Sequence, residues 1–205
     1  MKSIRIHEHG GPEVLCVDEI DTPSCSDNQI LVNIKATSLN HLDLWIRQGL
    51  PGLPIKLPLI MGSDGSGTIT DIGKFINGFS IGDDVVIQPG TFNNSCPLVK
   101  NYKENYSNTY GILGETSDGT QSEFILVNKE NIALKPTHLS FEEASSMQLV
   151  FMTSYQMLVE RAQLEASECV LIYGATSGIG SAAIQIAKDI GSKVITTIGT
   201  KEKEN

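Results

Sequence analysis

Residues 173–180 read Tyr-Gly-Ala-Thr-Ser-Gly-Ile-Gly, and this stretch decides the fold of the carboxyl-terminal part of the chain. An apolar run, CVLIYG, leads into it from Cys169, and a second apolar run, SKVITTIG, follows at 192–199. Between the turn and the second run, apolar residues recur at helical spacing, at Ile179, Ala183, Ile186 and Ile190. Strand, glycine turn, helix and strand in this order predict the opening βαβ unit of a parallel α/β domain, with both strands buried.

The three glycines of this stretch suit a nucleotide phosphate. Gly174 allows a tight exit from the strand, Gly178 lets backbone approach a pyrophosphate, and Gly180 lets the helix pack on the strand. The helix start offers unpaired N–H groups to the phosphates. Glycine turns also serve plain strand-to-helix connections, but the agreement of all four elements favours the functional interpretation. The predicted cofactor-binding residues here are Gly174, Thr176, Ser177, Gly178, Ile179 and Gly180.

The end of the second strand bears on the choice of cofactor. NAD-binding proteins usually carry an acidic residue there to hold the ribose hydroxyls. This chain has Gly199-Thr200-Lys201 instead, with Lys203 close by. A hydroxyl and two lysines suit a 2′-phosphate, so Thr200, Lys201 and Lys203 predict NADPH, unless the charged tail is merely solvated.

The first 140 residues have a different pattern. Short β-type runs alternate with Gly, Pro and Asp, and they lie at 3–8, 13–20, 29–37, 67–73, 83–88 and 122–127. Residues 40–49 read as a short helix ending at Gly49, and Ser140 with Glu143 forms a capping box that begins another. We therefore predict an α/β protein with a β-rich domain at 1–148 and a nucleotide-binding domain at 149–205.

The composition restricts the partners. The 205 residues carry a formal charge of −9 and are 40% hydrophobic, which argues against nucleic acid and anionic membranes and for a folded core. No signal-like or membrane-spanning stretch occurs. The four cysteines are scattered without a CxxC pair, which favours reduced thiols in a cytoplasmic protein.

These motifs together resemble the medium-chain dehydrogenase/reductase superfamily of zinc alcohol dehydrogenases and zinc-free quinone oxidoreductases. The resemblance covers the whole chain and is most specific at 40–49, 62–67, 79–85 and the glycine turn. It implies a GroES-like β-rich domain followed by a Rossmann domain. Short-chain dehydrogenases share the glycine spacing but carry it near their amino terminus, whereas about 170 residues precede it here.

The resemblance also gives positions at which relatives bind zinc. The four cysteines of the structural zinc lobe correspond to Asn93, Cys96, Val99 and Ser107, and the three ligands of the catalytic zinc to Asn40, Ser63 and Leu149. A tetrahedral site needs four N or S ligands and a catalytic one normally three. We therefore expect no metal, and we interpret the long polar stretch at 91–111 as a zinc lobe without its ligands.

The zinc-free branch implies hydride transfer from NADPH to a quinone or an α,β-unsaturated carbonyl. The implied catalytic residues are Asn40, Asp43, Trp45 and Ser63, with Thr153 beside the nicotinamide. Trp45 stands where many members have Tyr, as a flat wall for a planar acceptor or as core. The proton comes from water or from a hydroxyl such as Ser63 or Thr153, and full-length relatives are expected to be homodimers.

The chain is short for this family. An open doubly wound sheet has about six strands, and two are predicted here before the chain ends at Asn205. The alternative is therefore a truncated, catalytically inactive remnant or fragment of a zinc-type alcohol dehydrogenase homologue, and we expect the 205 residues alone to be inactive as a reductase.

Overall fold

The computed structural model describes residues 1–99 and 103–203, which form two compact units, Met1–Gln148 and Leu149–Asn205. Asn205 itself and the Lys203 side chain lie outside the described part. Among the described residues, no helix combines the length and the apolar character that crossing a membrane requires.

The first unit is built on antiparallel sheets, as the short β-type runs predict. Its strands are β1 (Lys2–Ile6), β2 (Leu15–Glu19), β3 (Gln29–Thr37), β4 (Leu59–Ile60), β5 (Gly65–Ile72), β6 (Asp84–Ile87), β7 (Gly90–Thr91), β8 (Gly111–Ile112), β9 (Phe124–Asn128) and β10 (Ile132–Leu134). A five-stranded sheet has the order β10-β6-β5-β3-β9, and a three-stranded sheet has the order β2-β1-β4. The strand predicted at 29–37 matches β3 residue for residue.

The alternation of side chains along these strands places the core. Inward-facing aliphatic residues of β3, β5, β6, β9 and β10, with Leu113 just after β8, form the main cluster: Ile30, Val32, Ile69, Val85, Ile87, Leu113, Ile125, Val127 and Ile132. A smaller cluster joins Ile6, Ile46, Leu59 and Met61. It anchors the inner face of α1 (His41–Gln48), whose end at Gly49 agrees with the prediction.

The predicted capping box is confirmed. The Ser140 hydroxyl accepts the Glu143 N–H at 3.1 Å, and the Glu143 carboxylate accepts the Ser140 N–H at 2.8 Å, which starts α2 (Phe141–Ser145). After a two-residue break, α3 (Gln148–Tyr155) continues into a π-helical turn at Gln156–Arg161.

The second unit contains one parallel strand pair and one long helix. β11 (Cys169–Ile172) pairs in parallel with β12 (Lys193–Thr196), and α4 (Gly178–Ile190) packs on one face of the pair. The prediction that both strands are buried is wrong: the facing pair Leu171 and Ile195 is 51% and 49% exposed. The reason is that α4 covers one face of this sheet and the other is bare in the described chain.

Candidate functional site

The glycine turn joins β11 to α4 and leaves backbone donors open. Gly174 has φ +71°, a left-handed conformation that favours glycine. Ser177 caps α4, with its hydroxyl accepting the Gly180 N–H at 2.9 Å. Within the described residues, the N–H groups of Thr176, Gly178 and Ile179 donate to no protein acceptor. These donors at a helix start fit an anionic group such as a phosphate.

Thr197, immediately after β12, holds this turn in place. Its hydroxyl accepts the Gly174 N–H at 3.0 Å, and its carbonyl accepts the Ala175 N–H at 3.0 Å. Its own N–H donates to the Ile172 carbonyl at 3.2 Å. Thr197 was not predicted as a site residue, because a Thr close to Thr196 and Thr200 carries no distinct signal in the sequence.

Gly178 and Gly180 serve different purposes in the structure. A Cβ on Gly180 would lie 2.1 Å from the Gly174 carbonyl oxygen, so only glycine permits this approach of helix and turn. A Cβ on Gly178 would meet Cγ1 of Val150 at 3.0 Å, a contact with a side chain rather than backbone. Gly178 itself is exposed, as a position facing a ligand should be.

Gly178→Val should abolish cofactor binding, because its side chain occupies the space through which a pyrophosphate approaches the backbone. The contact with Val150 offers a second explanation, so the double variant Gly178→Val/Val150→Ala serves as the control. We expect both variants to lose NADPH binding in a fluorescence titration. Normal binding by the double variant would mean that the turn does not hold the phosphates.

The other predicted cofactor residues lie at the surface of the second unit. Thr200 and Lys201 are exposed just beyond β12. Thr153 is exposed on α3, where its hydroxyl donates to the Leu149 carbonyl at 2.7 Å. Their side chains are therefore accessible to a ligand, and their predicted roles remain predictions.

In the first unit, the predicted catalytic residues Asn40 and Asp43 meet at the start of α1. Asp43 Oδ2 accepts the Asn40 backbone N–H at 2.7 Å, and Asn40 Nδ2 donates to Oδ2 of Asp64 at 2.9 Å. Asp43 is 7% exposed and Asp64 is fully buried. Asn40 therefore bridges two buried carboxylates. Asp43 was predicted as a site residue from the sequence, and Asp64 was not.

Ser63 and Trp45 have contrasting environments. Ser63 is 1% exposed, and its buried hydroxyl has no hydrogen-bond partner in the described structure. Trp45 is 48% exposed, so the alternative that it is core is wrong. Its indole meets the His41 ring edge-on at 5.0 Å between centroids. An indole face this open is compatible with a planar ligand.

Burial raises the pKa of the Asp43 carboxyl, opposed by the Asn40 N–H and assisted by the negative charge of Asp64. Between a pH of about 4, the ordinary pKa of Asp, and the raised pKa of Asp43, the folded state therefore binds more protons than the unfolded state. The free energy of unfolding should therefore fall as the pH rises through this window.

Asp43→Asn should remove that contribution, because the amide keeps an acceptor for the Asn40 N–H but does not titrate. We expect the free energy of unfolding to decrease less between pH 4 and pH 7 in this variant than in the wild type. Denaturant titrations followed by Trp45 fluorescence measure this decrease. Asp21→Asn, at an exposed carboxyl, is the matched control. Equal pH slopes for the wild type and Asp43→Asn would contradict the expectation.

The polar stretch at 91–111 retains local structure around Cys96. Its N–H donates to the Asn93 carbonyl at 2.9 Å, and the Val99 N–H donates to the Cys96 carbonyl at 3.1 Å, so two successive turns surround it. Hydrogen bonds from the Ser107 hydroxyl and the Leu98 and Val99 N–H groups lower the pKa of the Cys96 thiol. Positions 96 and 107 of the expected zinc lobe are therefore in contact; residues 100–102 lie outside the described part.

In the described residues, no group of three or more His, Cys, Asp or Glu side chains comes together that could hold a metal ion. At the positions of the expected catalytic ligands, the side chains are the amide of Asn40, the hydroxyl of Ser63 and the isobutyl group of Leu149. Zinc prefers thiolate, imidazole and carboxylate ligands, so these residues do not fit a zinc ion. The absence of bound metal remains a prediction.

A cavity of about 510 Å³ lies elsewhere in the first unit. It follows the sheet edge formed by β9, where it is lined by Phe124, Leu126 and Asn128, together with Met1 and Ile20. None of the predicted site residues lines it. The candidate site at Asn40 is thus separate from this cavity.

Comparison with known proteins identifies relatives named as quinone oxidoreductases and as alcohol dehydrogenases. Residues 26–137 match the alcohol dehydrogenase GroES-like domain. Quinone oxidoreductase of Sus scrofa is 31% identical over 100% of this chain and 55% of its own length. Crotonyl-CoA carboxylase/reductase of Cereibacter sphaeroides is 31% identical over 99% of this chain and 49% of its own. The crystal structure of an NAD-dependent alcohol dehydrogenase superposes with a TM-score of 0.93 at 41% identity, covering 99% of this chain and 59% of that one.

The fold and the matched domain define a dehydrogenase-type protein with a mixed α/β architecture. The chain belongs to the medium-chain dehydrogenase/reductase superfamily. It spans about half the length of the curated relatives that it matches. The predicted fold class, α/β with a GroES-like β-rich domain, is confirmed.

Proposed function

We propose that the function of this chain is zinc-independent, NADPH-dependent reduction, in which a hydride is transferred to a quinone or an α,β-unsaturated carbonyl. The observation that supports it most is the glycine turn, in which Thr176, Gly178 and Ile179 leave N–H groups open at the start of α4. The names of two relatives, quinone oxidoreductase and crotonyl-CoA carboxylase/reductase, describe acceptors of these two kinds and support the proposal. The proposed acceptor is a small molecule, and the proposed location is the cytoplasm.

The residues of the turn fit the cofactor and have separate tasks. Gly174 and Thr197 set the shape of the turn, and the open N–H groups hold the pyrophosphate. Thr200, Lys201 and Lys203 receive the 2′-phosphate, and Thr153 lies beside the nicotinamide. The nicotinamide supplies the hydride when it is bound, and the protein contributes orientation and electrostatics.

The acceptor side replaces zinc by hydrogen bonding. The Asn40 side-chain amide donates to the acceptor's carbonyl oxygen, where charge develops as the hydride arrives. Trp45 provides a flat apolar wall for a planar ring. One hydride and one proton convert a quinone to a hydroquinone, and the proton comes from water or from the hydroxyl of Ser63 or Thr153. Asp43 fixes the Asn40 backbone through its 2.7 Å hydrogen bond.

The preference for NADPH over NADH is a testable part of the proposal, and relatives named as NAD-dependent make the test a sharp one. We expect the chain to bind NADPH more tightly than NADH, because residues 199–201 carry no acid and because Lys201 and Lys203 are positively charged. Thr200→Asp should weaken NADPH binding by repulsion of the phosphate, whereas Thr200→Asn, of similar size, should not. Nicotinamide fluorescence measures both. Equal affinity of the wild type for the two cofactors would remove the argument.

The second candidate function is a non-catalytic remnant, which the side chains of Asn40, Ser63 and Leu149 at the zinc positions of relatives favour. On the β11–β12 sheet, Leu171 and Ile195 are half exposed, and apolar surface of this kind invites aggregation or pairing. We expect the 205-residue polypeptide by itself not to reduce duroquinone at a useful rate. An NADPH titration with duroquinone present separates the candidates: micromolar binding with turnover would exclude the remnant.

A further inference from the structure

We infer that Asp64 is a positioning residue, which holds the Asn40 amide so that one of its N–H bonds faces the acceptor's carbonyl oxygen. The inference rests on the proposed function for the identity of the acceptor. It assigns to Asp64 a task that neither the motif at 62–67 nor the comparisons give it. Its evidence is the set of hydrogen bonds around the two side chains.

Asp64 is anchored at both its side chain and its backbone. The residue is fully buried. Its carbonyl oxygen accepts the Thr37 and Thr120 hydroxyls, each at 2.7 Å. Its Oδ2 accepts the Ser38 hydroxyl at 3.2 Å in addition to Asn40 Nδ2 at 2.9 Å. A carboxylate fixed in this way is a rigid acceptor.

A rigid acceptor determines which end of the Asn40 amide faces Asp64. The amide has a donor end and an acceptor end, and its terminal torsion is broad and roughly two-fold. An ionised carboxylate only accepts, so it selects the orientation with Nδ2 toward Asp64. The Asn40 backbone is held separately, because its N–H donates to Asp43.

One donor then remains for a ligand. Asn40 Nδ2 carries two hydrogens and has one recorded partner, Asp64, among the described residues. Asn40 is only partly buried, so the second N–H is within reach of a bound molecule. With the amide reversed, its oxygen would face the acceptor's oxygen, and the interaction would become repulsive.

The first test observes the Asn40 amide directly, by hydrogen exchange of ¹⁵N-labelled Asn side chains in the 205-residue chain. In the wild type, one Asn40 Hδ2 proton should exchange at least about 10-fold more slowly than the other, because it is bonded to buried Asp64. Asp64→Leu, which has a similar size and no acceptor, should remove this difference. Asn131, whose Nδ2 donates to the Gly90 carbonyl at 2.7 Å, is the control and should not change.

Outcomes of this test are decisive in both directions. A selective loss at Asn40, with Asn131 unchanged, supports positioning rather than a general effect on the fold. Equal exchange of the two Asn40 protons in the wild type overturns the inference even if Asp64→Leu fails to fold. An unchanged Asn40 in a folded Asp64→Leu variant also overturns it.

The second test links the amide to the acceptor, with duroquinone as the probe and quenching of Trp45 fluorescence as the readout. Asn40→Ala and Asp64→Leu should each weaken binding about fivefold, the effect of one hydrogen bond. The double variant should bind no worse than Asn40→Ala, because Asp64 acts through Asn40. Additive losses, or an Asp64→Leu variant with unchanged affinity, would contradict positioning. If the wild type does not bind duroquinone, the proposed function fails, and the exchange experiment still decides the role of Asp64.

Discussion

Replacing Asn93, Val99 and Ser107 together by Cys should give a chain that binds one zinc ion tightly, whereas the wild type binds none. Cys96 already lies at the centre of this lobe. The turns that begin at Asn93 and Cys96 carry the backbone past it, and Ser107 contacts its sulfur. The three changes would complete the four thiolates that a closed tetrahedral site needs.

The expected effect is large because structural zinc sites contribute apparent binding free energies of about 10–16 kcal/mol. Elemental analysis and a chelator competition under reducing conditions measure it. Ser107→Cys alone is the control: it supplies two thiolates, and we expect affinity at least about 1,000-fold lower. Stoichiometric zinc in the wild type would refute the predicted absence of metal. A folded triple variant without zinc would mean that the lobe has lost the ligand geometry.

Local chemistry in the sequence predicted much of the fold. The strand β3 and the capping box at Ser140 and Glu143 depend on neighbouring residues only, and both were predicted at their observed positions. Gly49 ends α1 as predicted for the same reason. Patterns that span a few residues are sufficient where a few residues determine the structure.

Burial in the second unit was predicted less well. The run CVLI reads as a buried strand, yet alternate residues of β11 and β12 face outward and Leu171 is half exposed. Apolar composition predicts which residues favour burial, but tertiary packing determines which faces are covered. For the same reason, the 48% exposure of Trp45 could not be predicted from the sequence.

The candidate site shows the same division. Asn40, Asp43 and Ser63 were identified from the resemblance, whereas Asp64 and Thr197 emerged only from contacts between distant segments. Asp64 bonds across 24 residues to Asn40, and Thr197 across 23 residues to Gly174. Asp64 did carry a signal, because an acidic residue among small residues directly after an apolar run requires a buried partner.

Gly180→Ala should destabilise the second unit strongly, although the same change elsewhere in a helix usually stabilises. Ala is favoured over Gly in a helix interior by roughly 0.5–1 kcal/mol. Here the new methyl group would lie 2.1 Å from the Gly174 carbonyl oxygen. That oxygen cannot move aside easily, because it accepts the Ser177 N–H at 3.0 Å and the Ser177 hydroxyl at 2.8 Å. The helix must therefore separate from the turn.

The measurement is hydrogen exchange of the α4 backbone amides, which reports the second unit independently of the first. Overpacking of a close contact costs about 1–3 kcal/mol, so protection should fall at least about fivefold, and NADPH binding should fall with it. Gly199→Ala is the matched control, because a Cβ there meets nothing within 4 Å. A stabilised Gly180→Ala chain would show that the helix and the turn do not touch. The sign of the change therefore distinguishes a glycine required by packing from one that merely permits a bend.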